Sequence, residues 1–225
     1  MTQEQLKRLN GIIDAAFRVF HLRGYKLAQM NDVARELSVS VGSLYGMVKG
    51  KKALFDLCLM ESFVDNYPDT SLPLPVEEID HGRLLDEIIG PKVTGIVDGL
   101  AEYCETMPPL EELVGVLFDS VDSRWRGIRL ENCAVEWPIL DDFYYTFRKR
   151  TYDIVTDYME KAVTAGLVRP LRNIPMSARL LIENISYYAM HRRYDLFLHD
   201  MDISEARELT IDAMVHAFEY REEHR

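Results

Sequence analysis

Cysteine is scarce in this chain, and its spacing excludes two chemistries at once. Cys58, Cys104 and Cys133 are the only three in 225 residues. Such spacing supports no disulfide framework, and no Cys-x-x-Cys pair is present to open a zinc site. His81, His199, His216 and His224 show neither His-x-x-x-His nor His-x-His spacing, so no metal is expected. No apolar run approaches the roughly 20 residues that a membrane helix needs. Residues 1–23 alternate charged and apolar side chains at helical period, so no signal peptide and a cytoplasmic location are expected. Alternating β-branched runs are also missing, which leaves an all-α class. His191-Arg192-Arg193 and Glu131-Asn132-Cys133 are polar clusters with no acid, base or nucleophile partner placed beside them. Neither an enzyme nor a cofactor is expected.

Positive charge is in short supply overall, with 26 Lys and Arg against 37 Asp and Glu and a net charge of -11. Its distribution is uneven. Residues 1–60 hold nine basic side chains against five acidic, a balance of +4, and the remainder holds 17 against 32, a balance of -15. A basic head on an acidic body turns the head toward phosphate while the body is repelled. Hydrophobic residues make up 48% of the chain, ample for a buried core.

Within residues 30–54, Val33, Ala34 and Leu37 give a short helix one apolar face, Ser38 to Ser40 break it, and Val41 to Met47 form a second helix N-capped by Ser40. Val33, Leu37, Val39 and Leu44 are expected to face inward. This is a helix-turn-helix pattern. Its second helix presents Val41, Gly42, Ser43 and Tyr45, small and hydroxyl side chains followed by an aromatic one. Those residue types suit an element that enters a DNA groove, and Lys49, Lys51 and Lys52 follow directly.

The matching positions extend upstream. Ala15, Ala16, Phe20, Gly24-Tyr25, Asp32-Val33-Ala34, Val39-Ser40, Gly42-Ser43-Leu44-Tyr45, Lys51 and Leu54 together resemble the TetR-like (tetracycline-repressor-like) bacterial transcriptional regulators. By motif, the resemblance covers about the first quarter of the chain. Ala28 and Gln29 stand where that family usually opens a helix with a Thr and a second small hydroxyl residue. Ser38 replaces a turn Gly, and Gly46-Met47-Val48 replaces the usual aromatic, His or Tyr, and Phe. Tyr45 and Lys51, which in the family commonly touch the phosphate backbone, are retained.

In the first segment Leu6, Leu9, Ile13, Ala16, Phe17 and Phe20 share a face, and Gly24 suits a C-cap. Gly50 is expected to start a helix reaching about Tyr67, followed by a loop over residues 68–82. From Arg83 onward the pattern is helical, with Pro91 and Pro109 in first turns and Gly166 capping a long helix over residues 138–165. Helices over residues 176–194 and 204–220 are apolar on two sides. Their extra cover is most simply a second copy, and the resemblance likewise implies pairing through the last two helices. The layout predicts a DNA-binding domain over residues 1–50 and a helical effector-binding and dimerisation domain over residues 51–225.

Gln29, Tyr45, Lys49, Lys51 and Lys52 are the expected phosphate contacts on double-stranded DNA, with Ser40 and Gly42 shaping the reading helix and Val41, Ser43 and Met47 at base edges. The resemblance implies an effector pocket in the body. Candidate lining residues are Tyr103, Met107, Phe118, Trp125, Trp137, Phe143, Tyr144, Phe147 and Tyr188, with Asn184 or Arg124 as polar contacts for a small, largely apolar ligand. These expectations describe a ligand-responsive repressor that binds a palindromic operator as a homodimer. The alternative is a helical ligand-binding or interaction protein on the same scaffold with little specific DNA affinity.

Overall fold

The computed structural model describes residues 1–190, 193 and 202–219. The expectations placed on His191, Arg192, His199 and His224, and the helix ends at Tyr194 and Tyr220, lie outside the described residues. Helices α1 (Gln3–Leu27), α2 (Met30–Glu36), α3 (Val41–Tyr45), α4 (Lys51–Phe63) and α5 (His81–Arg83) precede a π-helical turn at Leu84–Ile89. They are followed by α6 (Gly90–Glu105), α7 (Leu110–Ser123), α8 (Trp125–Ala134), α9 (Pro138–Thr164), α10 (Ile174–Met190) and α11 (Ile203–Phe218). Among the described residues the only extended pairings are isolated bridges at Val48–Val76 and Val168–Glu219. The class is all-α.

The chain forms two compact units. Met1–Thr94 and Arg126–Tyr145 make the first. Thr2 caps α1 by accepting from the Gln5 N–H at 3.2 Å, and the Gln5 side chain accepts from the Thr2 N–H in return. One stripe of α1, including Leu9, Ile13, Ala16, Phe17 and Phe20, is buried in the head. It packs on α4, whose residues 53–60 are all buried. Each fully buried Leu or Phe of this kind contributes roughly 1.5–3 kcal/mol. Gly24 has φ 69° and breaks α1 where the sequence places a cap. Val33 and Leu44 face inward as expected, but Val39 is exposed because it lies in the turn itself. Helix α4 stops at Phe63, short of Tyr67. The chain becomes extended at Val64 and left-handed at Asn66, and Pro68 disfavours helix in the residue before it.

Pro91 lies in the first turn of α6, with a local consequence upstream. It has no N–H for the carbonyl of Glu87, and the N–H of Gly90 reaches back to the carbonyl of Leu85, widening the turn to π geometry. A side chain at position 90 would meet that carbonyl oxygen at 2.2 Å, so only glycine fits.

The second unit comprises Gly95–Trp125 and Thr146–Arg225. Here α7 packs against α10 and α11, which pack against each other. Leu113, Phe118, Val155, Tyr158, Met159, Leu181, Ile185 and Phe218 are among the residues of its core. Pro109 is the N-cap of α7 rather than a first-turn residue, and Gly166, at φ 75°, ends α9 as the sequence indicates. The second apolar sides of α10 and α11 remain exposed at Met176, Leu180, Tyr187, Tyr188 and Leu209.

Candidate nucleic-acid interface

The reading helix α3 is five residues long and is fixed at both ends. At its start the Ser43 N–H donates to Ser40 Oγ at 3.2 Å, and the two hydroxyls lie 3.0 Å apart. The preceding turn carries Ser38 at φ 56°, with the Val39 N–H donating to the Ala34 carbonyl at 3.0 Å. At the start of α2 the Asp32 carboxylate accepts from the Gln29 N–H at 3.1 Å, as one half of a capping box. Arg23 and Arg35 flank the same carboxylate at 3.4 and 3.3 Å.

Four of the expected DNA contacts converge. Gln29, Val41, Tyr45 and Lys51 line one shallow recess of about 350 Å³ together with Ala28, Met30 and Asn31. Tyr45 is 49% exposed. Gly42 is exposed and Ser43 half-buried. Asn31 and Arg8 were not legible as site residues. Asn31 reaches the recess because it opens α2 beside Gln29, whereas the Arg8 guanidinium donates to the Ser43 carbonyl at 3.4 Å across a long sequence separation.

The structure revises the parts given to Met47 and Lys52 and shows further partners for Lys51 and Lys49. Met47 is only 4% exposed and packs into the head with Val48, so its side chain is not presented to a base edge. The Lys52 ammonium donates to Asp56 at 2.8 Å and to the Ile79 carbonyl at 2.6 Å, which engages it inside the protein. Lys51 donates to the Tyr25 carbonyl at 2.9 Å and approaches that of Lys26 at 3.4 Å, closing the end of α1 as well as facing the recess. Lys49 keeps a half-exposed side chain and pairs with Glu77 at 3.5 Å.

Asp56 is the buried charge of the head. Its carboxylate accepts from Lys52, from the Ile79 N–H at 2.8 Å and from His81 Nε2 at 2.8 Å. Three donors satisfy a group that would otherwise be costly to bury. Tyr25, Phe55, His81 and Trp137 pack around it, with Trp137 centred 4.3 Å from Tyr25 and 4.8 Å from Phe55. Burial pushes the Tyr25 hydroxyl up to about 12.

The effector candidates divide between the units. Trp137, Phe143 and Tyr144 belong to the first, and Tyr103, Met107, Phe118, Trp125, Phe147, Asn184 and Tyr188 to the second. Trp137 is part of the aromatic packing around Asp56 rather than a ligand wall. Tyr144 is buried with its hydroxyl donating to the Gly127 carbonyl at 2.7 Å, and Phe118 is fully buried in the core. These three positions are filled by packing. Tyr103, Met107, Trp125 and Phe147 are half-buried, Asn184 donates to the Leu180 carbonyl, and Tyr188 lies on the exposed side of α10. The Arg124 guanidinium donates to the Ser120 carbonyl at 2.9 Å, and burial lowers its pKa. Among the described residues no group of three or more His, Cys, Asp or Glu converges as a metal-ligand set, and no helix is long and apolar enough to cross a membrane.

Residues 12–58 match the family model described as bacterial regulatory proteins, tetR family. No curated protein matches the chain. Among solved structures, the ketosteroid transcriptional regulator KstR2 of Mycobacterium tuberculosis is similar at 12% identity, covering 95% of this chain and 96% of that one, with a TM-score of 0.57. The TetR family transcriptional regulator PfmR from Thermus thermophilus is similar at 13% identity, 91% and 97% coverage and a TM-score of 0.54. A bacterial regulatory protein in the tetR family from Rhodococcus is similar at 16% identity, 98% and 100% coverage and a TM-score of 0.53. At these identities the structures speak for the fold.

Proposed function

We propose that this chain, whose residues 12–58 match the tetR family of bacterial regulatory proteins, is a ligand-responsive repressor holding a palindromic operator as a cytoplasmic homodimer. The observation that carries this reading is the recess where Gln29, Val41, Tyr45 and Lys51 meet beside the capped reading helix. Tyr45, Lys49 and Lys51 contact phosphate, and Val41 and Ser43 face base edges, Val41 toward a thymine methyl. Ser40 and Gly42 set the helix start and its closeness to the groove. Met47 supports the helix from behind, and Lys52 acts through its bond to Asp56.

Two features support the homodimer and the division of labour between residues 1–50 and 51–225. Basic charge is concentrated in the head, and the exposed apolar sides of α10 and α11 form a surface that a second copy covers in a two-fold arrangement. Two heads then meet half-sites whose centres lie about 34 Å apart or at a multiple. A small, largely apolar effector binds in the second unit beside Tyr103, Met107, Trp125 and Phe147, with Asn184 as a polar contact. It releases DNA by favouring a state with different head spacing. No catalytic step is assigned to any residue.

Selection from a pool of randomised duplexes tests the reading. Enrichment of an inverted repeat is the expected result, and an enriched pool without sequence preference removes the operator and returns the chain to the role of a helical binding protein.

A further inference from the structure

The loop after α4 is bound to the end of the reading element. The Val76 N–H donates to the Met47 carbonyl at 2.8 Å, and the Lys49 N–H donates to the Val76 carbonyl at 2.9 Å. Val48 and Val76 thus pair in parallel like two strand residues. Met47, Val48 and Val76 are all buried.

Three residues further on, the same segment is fixed again. Both backbone groups of Ile79 are held by side chains of α4, its N–H by Asp56 at 2.8 Å and its carbonyl by Lys52 at 2.6 Å, and His81 closes on Asp56. The N-terminal ammonium of Met1 donates to the Thr70 carbonyl at 2.6 Å, tying the middle of the loop to the start of α1. Glu77 and Glu78 therefore sit between two anchored residues. Over residues 64–80 the acidic side chains are Asp65, Asp69, Glu77, Glu78 and Asp80, and no Lys or Arg is present.

We propose that residues 64–80 form a strap positioning the end of the reading helix, and that Glu77 on it competes with the DNA backbone for Lys49 and so sets the head's affinity for DNA. An ordinary surface ion pair has little effect, because both partners are free to move. Here the main chain on either side of Glu77 is hydrogen-bonded, which keeps its Cα beside Lys49, and the two side-chain charges lie 3.5 Å apart. A phosphate must take Lys49 from Glu77 and also meets the charge of Glu77 itself. The strap thus tempers non-specific attraction in the most basic part of the chain. The inference rests on reading Lys49 as a phosphate contact.

Glu77→Gln and Glu78→Gln, compared with the unchanged protein on one duplex across a salt series, test it. Each variant removes one negative charge from the strap, but only the first removes the partner of Lys49. Glu77→Gln is expected to bind about threefold more tightly per head at low salt. Its log affinity against log salt steepens by up to roughly 0.9 per head, because Lys49 then meets its phosphate without freeing a carboxylate that takes up a cation in turn. Glu78→Gln is expected to keep the original slope, and both variants to melt with the unchanged protein. Equal gains for the two variants, or no gain for Glu77→Gln while the unchanged protein binds, overturn the role of Glu77 and leave the regulator standing. Absence of DNA binding in all three overturns both.

Discussion

Lys51 Nζ donates to the main-chain carbonyl of Tyr25 at 2.9 Å while lying 4.3 Å from the centroid of the same residue's ring. One lysine therefore closes the end of α1 and borders the recess beside the reading helix. Its three N–H donors serve both tasks, since two carbonyls leave one direction open. Lys51→Ala is expected to lower stability by about 2 kcal/mol. It is also expected to weaken specific and random duplex alike, flattening the salt slope by roughly one. Denaturant unfolding and duplex titration separate the two effects, and unchanged affinity for both duplexes removes Lys51 from the interface.

Ser38 stands at φ 56° where the turn between α2 and α3 needs a left-handed residue. Glycine adopts that region without the clash that a Cβ brings, so Ser38→Gly is expected to stabilise the head by about 1 kcal/mol. A higher melting temperature with unaltered DNA affinity is the predicted result. Lower stability would show that the Ser38 side chain makes a compensating bond.

How far the sequence carried the account depends on the range of the interactions. Ser40 as a cap, Gly24 and Gly166 at positive φ and the inward faces of Val33 and Leu44 follow from local rules, and they stand in the structure. Val39 and the end of α4 depend on a turn that spacing alone does not locate. Met47 looked presentable because helical period continues past Tyr45. Its burial comes from Val76, far along the chain, and no periodicity reports a strap. Trp137 reads equally well as a pocket wall or as packing. Only its neighbours Tyr25 and Phe55 decide, and both belong to helices far earlier in the chain.

Leu209, on α11, is 54% exposed, and Leu180 and Tyr187 are exposed on α10, the helix against which α11 packs. A charge placed there is expected to separate the proposed dimer without touching the core. Leu209→Glu should sediment as a folded monomer while the unchanged protein sediments as a dimer. Identical sedimentation of the two would move the dimer surface elsewhere.

Alkaline pH provides a check on burial. Burial pushes the Cys104 and Cys133 thiols from 9.0 up to about 11, and the Cys58 thiol up as well. It pushes the Tyr158 hydroxyl from 10.0 up to about 12. Between these values the unfolded chain has released protons that the folded chain still holds, so the contribution of these groups to stability is full below pH 9 and is lost as pH rises from about 9 to about 12. Thiol labelling at about pH 8 should be slow in the folded protein and fast once it is unfolded, because the thiolate is the reacting form. Rapid labelling of the folded protein would contradict the packing of all three cysteines.

The most direct test of the central claim is the affinity of the purified protein for its selected inverted repeat and for a scrambled duplex of equal length, measured across a salt series. Affinities are expected to fall steeply with salt for both, with the repeat bound at least about a thousandfold more tightly near physiological salt. Equal affinities for the two duplexes at every salt concentration would contradict it.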